Sequence, residues 1–223
     1  MSHESSLIHD LPHHTVRRAI VSEMQNNVYL VTAKETGQQI LIDAADDLPA
    51  ITTLLAEAGS DSQAPARLSL IATTHQHWDH VRALAGLVAD TGAPTAAGAA
   101  DAEGIAAECG VTTSRPLEHG DTVSVDGVEL AAIHLRGHTP GSIAYVLETG
   151  DGSAPIIFSG DSLFPGGVGN TGQVPARFTQ LLDDVEARLF DVYPDAIVLP
   201  GHGNPTTLAA ERGSLTEWRA RGW

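Results

Sequence analysis

The feature that most constrains this chain is a dense group of metal-binding residue types directly after a mainly apolar segment. The segment Leu68–Ala72 has the length and composition of a buried strand, and His75, His77, Asp79 and His80 follow it closely. In an extended backbone, His75 and His77 project to the same side because side chains alternate with a period of two. Zinc binds imidazole nitrogens and carboxylate oxygens. The spacing therefore predicts a metal site where a buried strand ends.

Three further residues of the same kind lie at the ends of other predicted strands. His138, Asp161 and His202 each come soon after a short apolar segment of strand length. Loops at such positions carry functional groups because a rigid scaffold holds them in place. A single histidine is more often an ordinary surface or core residue, but this many ligand types at strand ends in one chain favour metal binding.

The order of the predicted elements indicates an α/β fold. A meander of strands is followed by strands that alternate with helices, and the second half of the chain repeats this plan. The predicted strands are 16–22, 27–32, 40–42, 68–72, 94–97, 122–125, 128–135, 143–147, 155–159 and 196–199, and the predicted helices are 49–58, 81–91, 99–109, 178–190 and 215–221. Asp126–Gly127 predicts a type I′ hairpin turn, which needs positive φ at both residues. Two sheets packed face to face with helices outside, an αββα sandwich, satisfy this order.

Composition restricts the domain organisation and the partners. The 223 residues are enough for one sizeable core, so we expect a single domain over residues 15–223 after a polar N-terminal segment at 1–14. With 28 acidic and 12 basic residues, the net charge is −16, and no basic cluster suited to nucleic acid is present. No apolar run approaches the roughly 20 residues that span a bilayer. The N-terminus lacks the apolar region of a secretory signal and Cys109 is the single cysteine, so we expect a cytoplasmic protein without membrane contact.

The pattern His75-x-His77-x-Asp79-His80, followed in order by His138, Asp161 and His202, resembles that of the metallo-β-lactamase superfamily. Within it, the chain resembles the glyoxalase II-like hydrolases. The resemblance extends from Asn27 to His202 and implies an αββα sandwich of two mixed β-sheets with helices on the outer faces. It also implies two metal ions. Zinc is expected, with iron or manganese as alternatives in one or both sites.

The resemblance implies a role for each candidate ligand. The first metal is expected on His75, His77 and His138, and the second on Asp79, His80 and His202, with Asp161 bridging the two. Asp43 matches a family position that braces the metal loop, and such residues orient the ligands. Phe164, Asn170 and Arg177 are expected to line a substrate pocket.

This ligand set predicts a dinuclear metal-dependent hydrolase. Two metals roughly 3.5 Å apart can share a hydroxide and polarise a carbonyl group. We expect this metal-bound hydroxide to attack a small ester, thioester or lactone, with Asp79 and Asp161 as the catalytic residues. The partner is therefore a small-molecule substrate, and the oligomeric state stays open.

Two other functions remain compatible with the same residues. A persulfide dioxygenase, which is also similar to this family, would hold one iron on His75, His138 and Asp161. A metal-binding protein without turnover would keep the ligands but lack a reaction. Oxygen uptake with a persulfide substrate would distinguish the dioxygenase from the hydrolase.

Overall fold

The fold consists of two mixed β-sheets packed face to face. A computed structural model describes residues 6–222 of the chain. The first sheet has seven strands in sequence order, antiparallel from β1 to β4 and parallel from β4 to β7. Its strands are β1 Ser6–Asp10, β2 His14–Val21, β3 Asn26–Ala33, β4 Gln38–Ile42, β5 Arg67–Ala72, β6 Thr95–Gly98 and β7 Arg115–Leu117.

The second sheet has six strands in the order β15-β14-β11-β10-β9-β8, and only the β11–β14 pair is parallel. Strands β12 and β13 form a separate hairpin. The strands of the second half are β8 Thr122–Val125, β9 Val128–His134, β10 Ile143–Leu147, β11 Ile156–Gly160, β12 Leu163–Phe164, β13 Gly167–Val168, β14 Ile197–Pro200 and β15 Thr206–Thr207.

The helices cover the outer faces of the two sheets. They are α1 Leu48–Glu57, α2 Leu84–Thr91, α3 Ala102–Cys109, α4 Pro175–Val185, α5 Leu208–Arg212 and α6 Leu215–Arg221, and α4 continues as a π-helical turn, Glu186–Phe190. Helix α1 begins where the Asp47 side chain accepts a hydrogen bond from the amide of Ala50. No helix among residues 6–222 is long and apolar enough to cross a bilayer.

Three apolar cores hold these four layers together. One core lies between the sheets, a second lies between the first sheet and α1 to α3, and a third lies between the second sheet and α4 to α6. Side chains alternate between the two faces of a strand. Because both faces of the central strands are buried, these strands are apolar throughout. In β4, for example, Ile40 and Ile42 face the core between the sheets, while Leu41 faces the helices. The predicted αββα sandwich is confirmed.

The structure differs from the sequence prediction at the N-terminus. Residues 6–14, predicted to belong to a polar segment, form β1 and the start of β2, and β1 pairs with β2 as the edge strand of the first sheet. Ile8 and Leu11 pack against the core between the sheets. Because polar residues surround Ile8 and Leu11, the composition of this segment did not predict a strand. Residues 1–5 lie outside the described part of the chain.

The Asp126–Gly127 hairpin is present, but the predicted turn type is wrong. Val125 pairs with Val128, and only Gly127 has a positive φ, of 86°. A type I′ turn needs positive φ at both central residues, so Asp126 excludes it. The prediction also missed the short strands β7, β12, β13 and β15 and the short helix α5, which carry too few residues to show a period.

Candidate metal centre

The predicted ligands converge at one edge of the sandwich. His75, His77, Asp79 and His80 lie just after the end of β5 in the first sheet. Strands β9, β11 and β14 run in the same direction, because β10 is antiparallel to β9 and β11, and β14 is parallel to β11. Their C-terminal ends therefore lie on the same edge of the second sheet, and the three remaining candidate ligands follow these ends. The backbone amide of Ile143 donates to the carbonyl of Thr74 at 2.8 Å and ties the two sheets together at this edge.

The seven predicted ligands form overlapping groups with their ligand atoms within 4.8 Å of one another. The groups are His75–His77–His138, His75–His80–Asp161 and Asp79–His80–His202. We name the first the trihistidine cluster and the last the Asp79 cluster. The trihistidine cluster is the set that the resemblance implies for the first metal, and the Asp79 cluster is the set that it implies for the second.

Hydrogen bonds on the outer side of the rings orient the imidazoles. His138 Nδ1 lies 2.6 Å from the carbonyl oxygen of Asn170, and His202 Nδ1 lies 2.9 Å from that of Met24. Carbonyl oxygens only accept, so Nδ1 carries the proton in both rings and Nε2 presents its lone pair to the centre. His138 Nε2 lies 3.3 Å from His75 Nε2, and His202 Nε2 lies 3.2 Å from His80 Nε2. Lone pairs directed at each other repel unless a proton or a cation lies between them, so the chemistry of the ring nitrogens fits metal ions.

Asp43 supports the loop that carries the first ligands. Its buried carboxylate accepts hydrogen bonds from the Thr74 amide at 2.7 Å, the Thr74 hydroxyl at 2.7 Å and His80 Nδ1 at 2.8 Å. The Thr74 oxygen in turn lies 3.0 Å from His75 Nδ1 and can accept its proton. One carboxylate thus contacts the His80 imidazole directly and the His75 imidazole through Thr74.

Asp161 lies between the two clusters. Its Oδ1 is 3.5 Å from His80 Nε2, and its Oδ2 is 3.5 Å from His202 Nε2 and 3.7 Å from His138 Nε2. Oδ1 is buried and accepts no hydrogen bond from the described residues. A buried carboxylate oxygen without a donor is costly unless a cation compensates it. The unpartnered Oδ1 of Asp161 is a second feature, after the facing ring nitrogens, that fits a metal centre.

Asn26 is a site residue that the sequence analysis missed. Its buried side-chain amide donates to the main-chain carbonyl of Asp79 at 3.1 Å and to the Asp79 carboxylate at 3.0 Å. The next residue, Asn27, donates to the carbonyls of Pro200 and Gly203 at 2.9 and 3.0 Å and thereby holds the His202 loop. The sequence does contain a signal for this role. Asn26 and Asn27 are adjacent at the start of an apolar strand, and buried side-chain amides need hydrogen-bond partners.

Burial and the neighbouring charges shift the pKa values of the site residues in different directions. Burial, followed by the nearby His80 and His138 rings, lowers the pKa of His75 well below its ordinary value. Burial also lowers the pKa of His80, but the Asp43 carboxylate and the other nearby acids outweigh it and raise the pKa to about 9. Burial opposes ionisation of Asp79, yet hydrogen bonds with His202 and Asn26 and the charge of His80 lower its pKa. A divalent cation in the Asp79 cluster competes with protons for these same atoms.

The three predicted substrate residues have different positions. Phe164 lines a cavity of about 440 Å³ together with Val168, Phe178, Trp218 and Arg221. The Asn170 carbonyl accepts from His138, and its side chain accepts from the amide of Gly172. The Arg177 guanidinium donates to the carbonyl of Gly137 at 2.8 Å and to that of His138.

These contacts show that Asn170 and Arg177 support the His138 loop, and their expected role in lining a substrate pocket stays a prediction. The sequence placed both near the site. The sequence did not show that both residues form hydrogen bonds with the loop that carries His138.

The αββα sandwich and the histidine and aspartate clusters at its edge define a class of metal-binding proteins. The sequence matches the profile of the metallo-β-lactamase superfamily over residues 21–202, which is most of the chain. The chain therefore belongs to the metallo-β-lactamase superfamily.

Two relatives show how far the similarity extends. The hydroxyacylglutathione hydrolase of Fuscovulum blasticum is 30% identical over 217 residues, which cover 88% of this chain and 75% of that protein. The hydroxyacylglutathione hydrolase GloC of Haemophilus influenzae is 32% identical over 97 residues, and this match covers only 44% of each chain.

Solved structures share the fold. The di-iron-bound form of TTHA1623 is 31% identical, with a TM-score of 0.66 over 87% of this chain and 96% of that chain. ETHE1 from Myxococcus xanthus is 27% identical, with a TM-score of 0.71 over 92% of this chain and 84% of that chain. BLEG-1 B3 metallo-β-lactamase is 23% identical, with a TM-score of 0.72 over 89% and 96% of the two chains.

Proposed function

We propose that this protein is a dinuclear metal-dependent hydrolase that cleaves a small thioester, ester or lactone. The observation that carries the proposal is the position of Asp161 between the trihistidine cluster and the Asp79 cluster. Oδ1 of Asp161 lies near His80 of the Asp79 cluster. Oδ2 lies near His202 of the same cluster and near His138 of the trihistidine cluster, so the carboxylate reaches rings of both clusters. A carboxylate so placed would help to hold an ion at each cluster, and two such ions would supply the Lewis acidity of two-metal hydrolysis.

The residues of the chain divide the work of this proposed reaction. Bound metals would supply Lewis acidity and a lowered pKa of water. The histidines would bind through the nitrogens that face the centre, since hydrogen bonds occupy the outer nitrogen of His75, His80, His138 and His202. Asp79 is held by Asn26 and has a lowered pKa, so it stays ionised and can orient an attacking water through a hydrogen bond.

Two observations support the proposed substrate class. The hydroxyacylglutathione hydrolases at 30 and 32% identity are named for hydrolysis of an acyl thioester. The net charge of −16 disfavours a nucleic-acid substrate. We also propose a cytoplasmic location. A chain with the single cysteine Cys109 cannot form an intrachain disulfide, and such disulfides are typical of proteins in oxidising compartments.

A panel of thioesters, esters and lactones, assayed with zinc-loaded protein, tests the proposal. The Asp161→Asn variant removes one oxygen and the charge between the clusters. Loss of a few kcal/mol of metal-assisted stabilisation corresponds to a fall of about 100-fold or more in kcat. Asp61→Asn is a matched control, because Asp61 is also a largely buried aspartate but precedes β5, whereas the ligands follow its end.

The outcome separates the hydrolase from the alternatives. Full metal content and wild-type hydrolysis in Asp161→Asn would contradict the proposal. Absence of hydrolysis in the wild type, with oxygen uptake on a persulfide and one iron per chain, would favour the dioxygenase. Two bound metals without turnover of any substrate in either assay would favour a metal-binding module.

A further inference from the structure

Asp101 is a buried carboxylate that the proposed reaction does not use. It ends the short helical turn Ala99–Asp101 between β6 and α3, and its residue surface is fully buried. It accepts hydrogen bonds from the Gln76 amide at 3.0 Å, the Thr139 hydroxyl at 2.6 Å and the Gly141 amide at 2.6 Å. No arginine or lysine pairs with Asp101 among residues 6–222, so neutral hydrogen-bond donors supply most of what offsets its burial.

The three donors belong to both loops of the trihistidine cluster. Gln76 lies between the ligands His75 and His77, and Thr139 directly follows the ligand His138. The two loops come from different sheets and meet on the same carboxylate, with Gln76 and Thr139 both bound to Oδ2. Asp101 therefore links the loop of His75 and His77 to the loop of His138.

The packing around Asp101 leaves little freedom for the loops to move closer. A Cβ atom on Gly98 would lie 1.9 Å from the carbonyl oxygen of Gly141, and a Cβ on Gly141 would lie 2.4 Å from the amide nitrogen of Asp101. A Cβ on Gly104 would lie 1.8 Å from the Gln76 side chain. Glycine at these positions allows the segment after β6 to approach both ligand loops closely. The contacts of Asp101 thus belong to a closely packed connection between the two ligand loops.

We propose that Asp101 is a positioning residue that sets the spacing of His77 and His138 and thereby the metal affinity of the trihistidine cluster. This inference rests on the proposed function, in which that cluster holds one of two metals. Asp101 contacts no ligand atom and acts through the backbone of Gln76 and the residues that follow His138. Residues of this kind change metal affinity by about 10- to 100-fold when replaced, because they hold ligands in the binding geometry.

Site-resolved metal titration tests the role of Asp101. In a His202→Ala background only the trihistidine cluster is complete, and in a His77→Ala background only the Asp79 cluster is complete. We expect Asp101→Asn to weaken zinc binding about 10- to 100-fold in the first background and less than about twofold in the second. Calorimetry on chelator-treated protein measures both affinities, with no need for catalytic activity.

Two further variants separate positioning from a general loss of stability. Asp61→Asn makes the same substitution at an aspartate that also accepts three hydrogen bonds, from Thr15 and Arg17, and we expect wild-type affinity in both backgrounds. Thr139→Val removes one donor and leaves Asp101 in place, and we expect a smaller loss confined to the trihistidine cluster. This variant also tests the proposal if Asp101→Asn does not fold.

The outcomes distinguish this inference from the proposed function. Wild-type affinity in Asp101→Asn, or an equal loss at both clusters, would overturn the positioning role alone. Metal binding by the wild type without hydrolysis of the panel would contradict the proposed function and leave the Asp101 result valid. No metal uptake by the wild type would overturn both.

Discussion

Replacement of Asp43 by asparagine tests how strongly one carboxylate controls the metal centre. Asp43 has a φ of 58°, in the left-handed region that asparagine also tolerates, so the backbone can keep its conformation. Its Oδ1 accepts from the Thr74 amide, and its Oδ2 accepts from the Thr74 hydroxyl and from His80 Nδ1. Asparagine has one acceptor oxygen, so its amide group must face at least one of these donors.

The magnitude follows from the hydrogen bonds that are lost. If the new amide group faces His80, it donates to Nδ1, so the neutral ring that binds metal would carry its proton on Nε2, which is the atom that the Asp79 cluster needs as a ligand. One hydrogen bond to a charged group contributes about 1.5–3 kcal/mol. Since about 1.4 kcal/mol is a tenfold change in affinity, we expect zinc binding at the Asp79 cluster to weaken about 10- to 100-fold.

Calorimetric titration of the metal-free Asp43→Asn protein measures this loss, and nitrogen NMR of the His80 ring, recorded above its pKa of about 9, reports which nitrogen carries the proton of the neutral ring. Asp61→Asn is again the control. Zinc affinity within about twofold of the wild type, together with an unchanged His80 tautomer, would refute the reasoning.

Two further predictions concern steric fit and pH. A Cβ on Gly201 would lie 2.4 Å from Asp161 Oδ1, so Gly201→Ala should lose metal from the centre while far-ultraviolet circular dichroism stays native; full metal content would contradict the predicted clash. Burial raises the pKa of Asp184, but hydrogen bonds from Arg136 outweigh it and lower the pKa. Asp184→Asn should therefore cost about 1–3 kcal/mol of unfolding free energy at pH 7, and the difference should shrink as the pH falls through the folded-state pKa, below 3.8. Urea unfolding at several pH values measures this cost, and a pH-independent difference would contradict it.

The sequence was most informative where local pattern and chemistry agreed. His75 and His77 could be placed because a mainly apolar segment of strand length directly precedes them, and the period of two puts both side chains on one side. The αββα sandwich could be predicted because its central strands are apolar on both faces.

Contacts between residues that are far apart in the sequence could not be predicted. Asp101 lies at the start of an alanine-rich helical segment, and its carboxylate becomes part of the site only through donors that are distant in sequence, Gln76, Thr139 and Gly141. Arg177 was placed near the site, but its contacts with the carbonyls of Gly137 and His138 depend on the packing of α4 on that loop. Local pattern carries no information about such partners.

The metal content of protein purified without added metal or chelator tests the central claim most directly. The trihistidine cluster and the Asp79 cluster, joined by Asp161, predict about two equivalents of metal per chain. One equivalent of iron with the second site empty would favour the dioxygenase. No metal in the purified protein, and none taken up on titration with zinc, iron or manganese, would contradict the metal centre and the function proposed for it.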